Sequence, residues 1–213
     1  VIKESTRTRR EEERARKRTE ILKAAVETFG AKGSANGTLA DIAQQVGMTH
    51  AGVLHHFGSK ENLLLEVLEY RDRTDVEGLA EKHIPGGPDL FLHLVRTAFL
   101  NAQRPGIVQV FTVLSAESVT EDHPARRYFE ERYAMLRRDV HGAFRELCAQ
   151  EGVTDLGAID MAAASILAVM DGLQLQWLLD PKTIDLPAAS EFAIRSIVNG
   201  VLNPAPELGT YRH

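Results

Sequence analysis

The chain has 213 residues, 44% of them hydrophobic and 26% charged, with a net charge of −5. That balance is typical of globular proteins, and the length allows one large domain, or a small domain followed by one of about 150 residues. No apolar run approaches the roughly 20 residues of a membrane span, the N-terminus lacks the apolar core of a secretory signal, and the single cysteine, Cys148, cannot form an internal disulfide, so the expectation is a cytoplasmic protein with no membrane partner.

Apolar positions recur at spacings of three and four almost throughout, which predicts an all-α fold. Ile21, Leu22, Ala25, Val26 and Phe29 form the first stripe, with Gly30 and Gly33 ending it. In "TLADIAQQVG", Thr38 is the expected N-cap, Asp41 lies near the positive helix end and Gly47 is the stop. Thr49 then caps a short helix over about 50–56. Ser59 caps another that runs through "KENLLLEVLEYRDRTDVEGLAEK".

"HIPGGPDL" at 83–90 breaks the pattern. "DLFLHLVRTAFLNAQ" is a helix that stops at "RPG", residues 104–106, and "IVQVFTVLSAESV" is a further helix. "HPARRYFEERYAMLRRDVHGAFRELCAQEG" is long and amphipathic, with Pro124 expected in its first turn. The last two helices are expected at 156–179, apolar on nearly every side, and at 187–202. The tail "NPAPELGTYRH" is expected to be loose.

Charge is unevenly spread. Residues 1–60 hold 11 basic and 7 acidic side chains, a balance of +4, while 61–213 hold 14 and 23, a balance of −9. Arg7, Arg9, Arg10, Arg14, Arg16, Lys17 and Arg18 cluster before the first apolar face, although three glutamates interrupt them. A basic head on an acidic body fits DNA contact, and a solvated helix start would give the same pattern.

Two short helices joined by "VGMT" have the spacing of a helix-turn-helix, whose second helix enters the major groove. That helix carries His50, Ala51, Gly52 and His55, small or polar residues suited to close approach to base edges, while Val53 and Leu54 can face a core. The neighbours His55 and His56 could be metal ligands, bases or polyanion contacts. Adjacent helical residues point about 100° apart and rarely share one ion, and no cysteine or carboxylate stands at ligand spacing nearby.

Phe29, Gly33, Thr38, Ile42–Ala43, Val46–Gly47 and above all "HHFGSKENLL" resemble the N-terminal domain of the tetracycline-repressor (TetR) family of transcriptional regulators, over about residues 18–65. The resemblance implies a three-helix DNA-binding head at 1–60 and a six-helix ligand-binding and dimerisation bundle at 61–213. "MDGLQLQWLLDP" looks like an actinobacterial-type variant of that body. It further implies a cytoplasmic homodimer on palindromic double-stranded operator DNA, released when a small-molecule effector binds the body. Carried over by position, Thr38 touches phosphate, Thr49, His50, Ala51 and Gly52 lie over base edges, His55 reaches the DNA backbone, and Lys60 holds phosphate. His56 braces the corner between helices 3 and 4 and can also touch phosphate. Leu54 departs from the family, which often has a phosphate-contacting tyrosine there.

In the body, Glu117, Asp171, Gln174 and Gln176 are polar residues inside apolar helices and need partners. Asp171 and Gln174 share a face with Met170 and Trp177 close by; with Phe111 and Met135 opposite, they are the expected lining of a mainly apolar effector pocket. The last two helices are expected to pair across a dimer. "GAKGSANGT" lacks the order of a phosphate-binding loop, there is no G-x-S-x-G elbow, and the body's histidines are scattered. An enzyme and a cofactor are therefore not expected. A helical protein-binding adaptor and, behind it, a metal-dependent enzyme are the alternatives; the helix-turn-helix counts against the adaptor, and nothing in the motifs points to the enzyme.

Overall fold

The computed structural model describes the backbone of residues 2–77 and 83–204, and side chains from residue 9 onward within those ranges. Among the described residues there are nine helices and no strand: α1 (Ile2–Asn36), α2 (Leu39–Gln45), α3 (His50–Phe57), α4 (Lys60–Val76), α5 (Asp89–Ala102), α6 (Pro105–Glu117), α7 (Arg126–Gln150), α8 (Ile159–Leu179) and α9 (Leu186–Leu202). The all-α expectation holds. The expected extension of α4 into residues 78–82 and most of the C-terminal tail lie outside the described residues.

The chain divides into two compact units. One is Val1–Gly78 with Arg104–Glu130, the other Leu79–Gln103 with Glu131–His213. In the first, α1 packs against α2, α4 and α6, while α3 rests on α2 and α4. Its core includes Ile21, Ala25, Phe29, Ile42, Val53, Leu63, Val67 and Leu114. Gly30 does not end α1 as expected. It lies within the helix, where α6 approaches so closely that an added Cβ would sit 3.4 Å from the Val110 backbone nitrogen. The break comes at Gly33, whose φ of 73° and ψ of 175° are open almost only to glycine.

In the second unit α9 packs against α5 and α8. Leu90 and Leu94 of α5, Val140 and Phe144 of α7, Ile159, Ile166 and Met170 of α8, and Ile194 of α9 share one core. Cys148 is a buried member of it. Pro124 lies two residues before α7 rather than in its first turn. Pro105 opens α6, where its missing N–H costs nothing. One expectation about membranes needs correction: by length and composition alone, α8 would suffice for a span. Its Ile159, Ala163, Ile166 and Met170 are instead packed into the protein core, and Asp160 and Asp171 lie on it.

Candidate nucleic-acid interface

The head is assembled by local caps. Thr38 Oγ1 accepts the Asp41 N–H at 3.1 Å, and the Asp41 carboxylate accepts the Thr38 N–H at 3.1 Å. This reciprocal pair satisfies donors that a helix start leaves open. Lys32 Nζ, 3.0 Å away, and then Thr38 lower the Asp41 pKa and keep it a carboxylate. At Gly47 the φ of 63° reverses the chain after α2. Thr49 then starts α3 by accepting the Gly52 N–H at 3.1 Å, and Ser59 starts α4 by accepting the Asn62 N–H at 3.1 Å.

Val53 and Phe57 bury the inner face of α3. Thr49, His50, Ala51 and His55 are exposed, and Gly52 and Leu54 are half-buried. The small outer residues leave the N-terminal half of α3 open to close approach by a large partner. Thr38 is exposed on the start of α2. Lys60 is half-buried, and its ammonium is 3.4 Å from the Ala35 carbonyl oxygen, with no carboxylate partner among the described residues.

His55 and His56 diverge: their rings are 6.0 Å apart at 71°. His56 is half-buried, and its Nδ1 has no hydrogen-bond partner among the described residues. Burial, followed by the nearby charges of Arg14, His55, Arg18 and Lys17, lowers its pKa. Burial at the α3–α4 corner therefore disfavours the charged form of the His56 ring.

The basic cluster separates into two kinds of residue. Arg18 is structural. It donates to the His56 carbonyl and the Glu66 carboxylate, and its guanidinium lies 4.2 Å over the Phe57 ring. Lys17 pairs with Glu20 at 2.7 Å. Arg9, Arg10 and Arg14 are exposed. The side chain of Arg7 lies outside the described residues.

The helix-turn-helix, with the outer face of α3 exposed, opens an all-helical chain, and two segments of that chain match one group of known proteins. Residues 21–67 match the model for bacterial regulatory proteins of the tetR family, and residues 90–202, more than half the chain, match the C-terminal domain of BetI-type transcriptional repressors. The chain belongs to the TetR family. It is a DNA-binding transcriptional regulator of a ligand-responsive kind, and not an enzyme.

The BetI regulator of Agrobacterium fabrum is 28% identical over 176 residues, covering 81% of this chain and 82% of that one. The TtgR regulator of Pseudomonas putida is 29% identical over 203 residues, covering 84% and 88%. Among solved structures, the SmeT–triclosan complex shares the fold with a TM-score of 0.70 at 19% identity, covering 90% of this chain and 99% of that one. SmeT is the repressor of a multidrug efflux pump in Stenotrophomonas maltophilia.

The expected effector residues divide between the units. Phe111 lies in the first, 5.2 Å from the Phe129 ring centroid and beneath the Arg71 guanidinium at 4.3 Å. Met135, Met170, Asp171, Gln174 and Trp177 lie in the second. Met170, Gln174 and Trp177 are buried and Met135 is exposed. Tyr133 Oη donates to Asp171 Oδ2 at 2.5 Å, and Gln174 Nε2 donates to the Met170 carbonyl at 3.1 Å.

Sequence reasoning missed two polar groups. On α5, His93, Thr97 and Asn101 recur every four residues and are all buried, with Asn101 Nδ2 donating to Gln174 Oε1 at 3.4 Å. Their spacing was visible in the sequence. In the first unit, buried Arg71 lies 3.0 Å from Asp75 and 3.1 Å from Asp72. Arg104 also binds Asp75, and Tyr128 Oη donates to Asp72 at 2.6 Å. Burial opposes the Arg71 charge, but Asp75 and then Asp72 outweigh it and raise the pKa.

Proposed function

We propose that the chain is a repressor that binds pseudo-palindromic operator DNA as a homodimer and releases it on binding a small, mainly apolar effector. The carrying observation is α3: Val53 and Phe57 anchor it, while His50, Ala51 and His55 stand outside it unobstructed. In this reading Thr49, His50, Ala51 and Gly52 face base edges, and Thr38, His55 and Lys60 hold phosphates, with His56 bracing the corner beside them. Residues 1–60 act as the reading head and 61–213 as the effector and dimer body. A regulator that reads chromosomal DNA works in the cytoplasm.

The dimer is assigned to α8 and α9. Met161 is 68% exposed, Leu179 78% and Phe192 75%. Apolar side chains of that size gain by meeting a second copy. A twofold protein reads inverted half-sites. The effector is assigned to the face of Met170, Asp171, Gln174 and Trp177, with Met135 of the same unit beside it. An apolar wall with a few fixed polar groups supports that assignment. The actinobacterial-type assignment of the body rests on "MDGLQLQWLLDP" alone.

Selection from a random duplex library by the full chain tests the reading. The expected product is one inverted repeat, with half-site centres about one helical turn apart or a multiple of it. Phe192→Glu is expected to give monomers in sedimentation and to lose the repeat. Enrichment of no sequence, or of a single unrepeated site by a monomer, would reject the proposal.

A further inference from the structure

In the second unit an open cleft of about 550 Å³ lies between α7 and α8. Ala134 and Ala163 line it with methyl groups, and Arg137, Arg138, His141 and Asp160 supply its polar surface. Two facing alanines leave room that larger side chains would fill. The volume suits a small metabolite as well as a bare ion.

The charge at this place runs against its surroundings. Residues 61–213 carry 23 acidic and 14 basic side chains, yet two adjacent arginines of α7, with His141 one turn on, line one cavity. Its single acid, Asp160, has a 90% exposed side chain and lies 3.5 Å from His141 Nε2. Among the described residues, neither Arg137 nor Arg138 makes an ion pair or a hydrogen bond. Two forked guanidinium groups with unused donors match the paired oxygens of a phosphate or carboxylate. Lysines would supply only point charges.

We infer that this cleft binds a small anion through a phosphate or carboxylate group, with Arg137 and Arg138, whose side chains are long enough that both line the cleft although they leave the helix in different directions, as forked donors and His141 as a third donor. The alanine methyls accommodate a short apolar portion of the ligand. Asp160 weakens the site by setting a negative charge at its rim. The cleft is distinct from the Asp171–Gln174 face, which lies about 16 Å further along α8 at 1.5 Å per residue.

Calorimetric titration of the full chain with inorganic pyrophosphate, and separately with succinate, tests this at fixed ionic strength. Saturable binding of at least one probe is expected, at one site per chain. The two probes show which oxygen group is preferred. Changing Arg137 and Arg138 together to Gln should weaken binding at least about tenfold, since each charge-assisted bond has that order of worth. Asp160→Asn should tighten it several-fold, while Lys60→Ala, in the DNA head, should leave it unchanged.

The inference falls if neither probe saturates by about 10 mM, a ceiling of weak affinity, or if the Arg pair can be replaced without effect. It falls equally if Asp160→Asn does not tighten binding, or if only Lys60→Ala abolishes it. Conversion of the dimer to monomer by the Arg substitutions would also overturn it, because the cleft would then belong to the seam between protomers.

Discussion

The Glu117 carboxylate accepts the Ser34 backbone N–H at 2.9 Å, fastening the end of α6 to the break in α1. Ser34 Oγ also lies 2.9 Å from His123 Nε2, and His123 Nδ1 accepts the Ala125 N–H at 3.2 Å. A Cβ on Gly33 would come within 2.2 Å of Glu117 Oε1. Gly33→Ala therefore adds a forbidden backbone conformation to a collision with the fastening group. A loss of about 3 kcal/mol is expected in denaturant unfolding. Glu117→Gln keeps an acceptor and should cost about 1 kcal/mol, against about 2 for Glu117→Ala. Equal costs for Gln and Ala would show that the carboxylate oxygen is not the fastening element.

The features legible in the sequence are those fixed within a few residues. Thr38, Thr49 and Ser59 cap the expected helices because each bonds to an N–H three positions on. Glu117 was recognisable as needing a partner, but Ser34 is 83 positions away and only the fold brings it there. The same holds for Arg71, which looks like a solvated residue of an exposed helix until Asp75, Arg104 and Tyr128 surround its neighbourhood. Gly30 and Gly33 are alike in sequence. One serves helix packing and the other ends the helix, a difference made by α6. The helix-turn-helix was legible because it is local, whereas the partners of Asp171 and Gln174 come from distant helices.

Lys60 and His50 are expected to fail differently. Among the described residues the Lys60 ammonium bonds to the Ala35 carbonyl and to no carboxylate, which leaves donors for a phosphate. Lys60→Ala should weaken all DNA sequences alike and reduce the slope of log K against log salt by about 0.9 per lost phosphate contact. His50→Ala should leave the slope alone and relax base choice at one position of the half-site. Fluorescence anisotropy across a salt series with matched and mutated duplexes reads both. An unchanged slope for Lys60→Ala would remove its backbone role.

His56 predicts a pH dependence of the free protein. Its folded pKa lies below the ordinary 6.5 because of burial and then Arg14, His55, Arg18 and Lys17. Below that ordinary value the unfolded chain takes up a proton that the folded chain resists. Stability is therefore complete above about pH 7 and declines as pH falls through 6.5 toward the folded value. His56→Gln should flatten this decline between about pH 7.5 and 5.5, a window above carboxylate titration. Thermal melts of both proteins at the two pH values make the comparison. Parallel declines would show that His56 is not the group responsible.

The effector reading turns on Asp171 and Gln174. Asp171 holds the Tyr133 hydroxyl, and Gln174 links Asn101 on α5 to the Met170 carbonyl on α8. An effector that engages either side chain must exchange these bonds for its own, which would change how α5, α7 and α8 are held together. That gives a ligand different affinities for two states of the body, the requirement for any shift between them. Replacing Asp171 by Asn and Gln174 by Leu should abolish release by an inducer while operator affinity stays within a few-fold. Tyr133→Phe should lower inducer sensitivity more weakly, since it removes one hydroxyl and leaves the carboxylate. Release assays on operator DNA, with sedimentation of each variant, distinguish the outcomes. A double variant that still responds normally removes these residues from the site, and one that no longer dimerises assigns them to the seam.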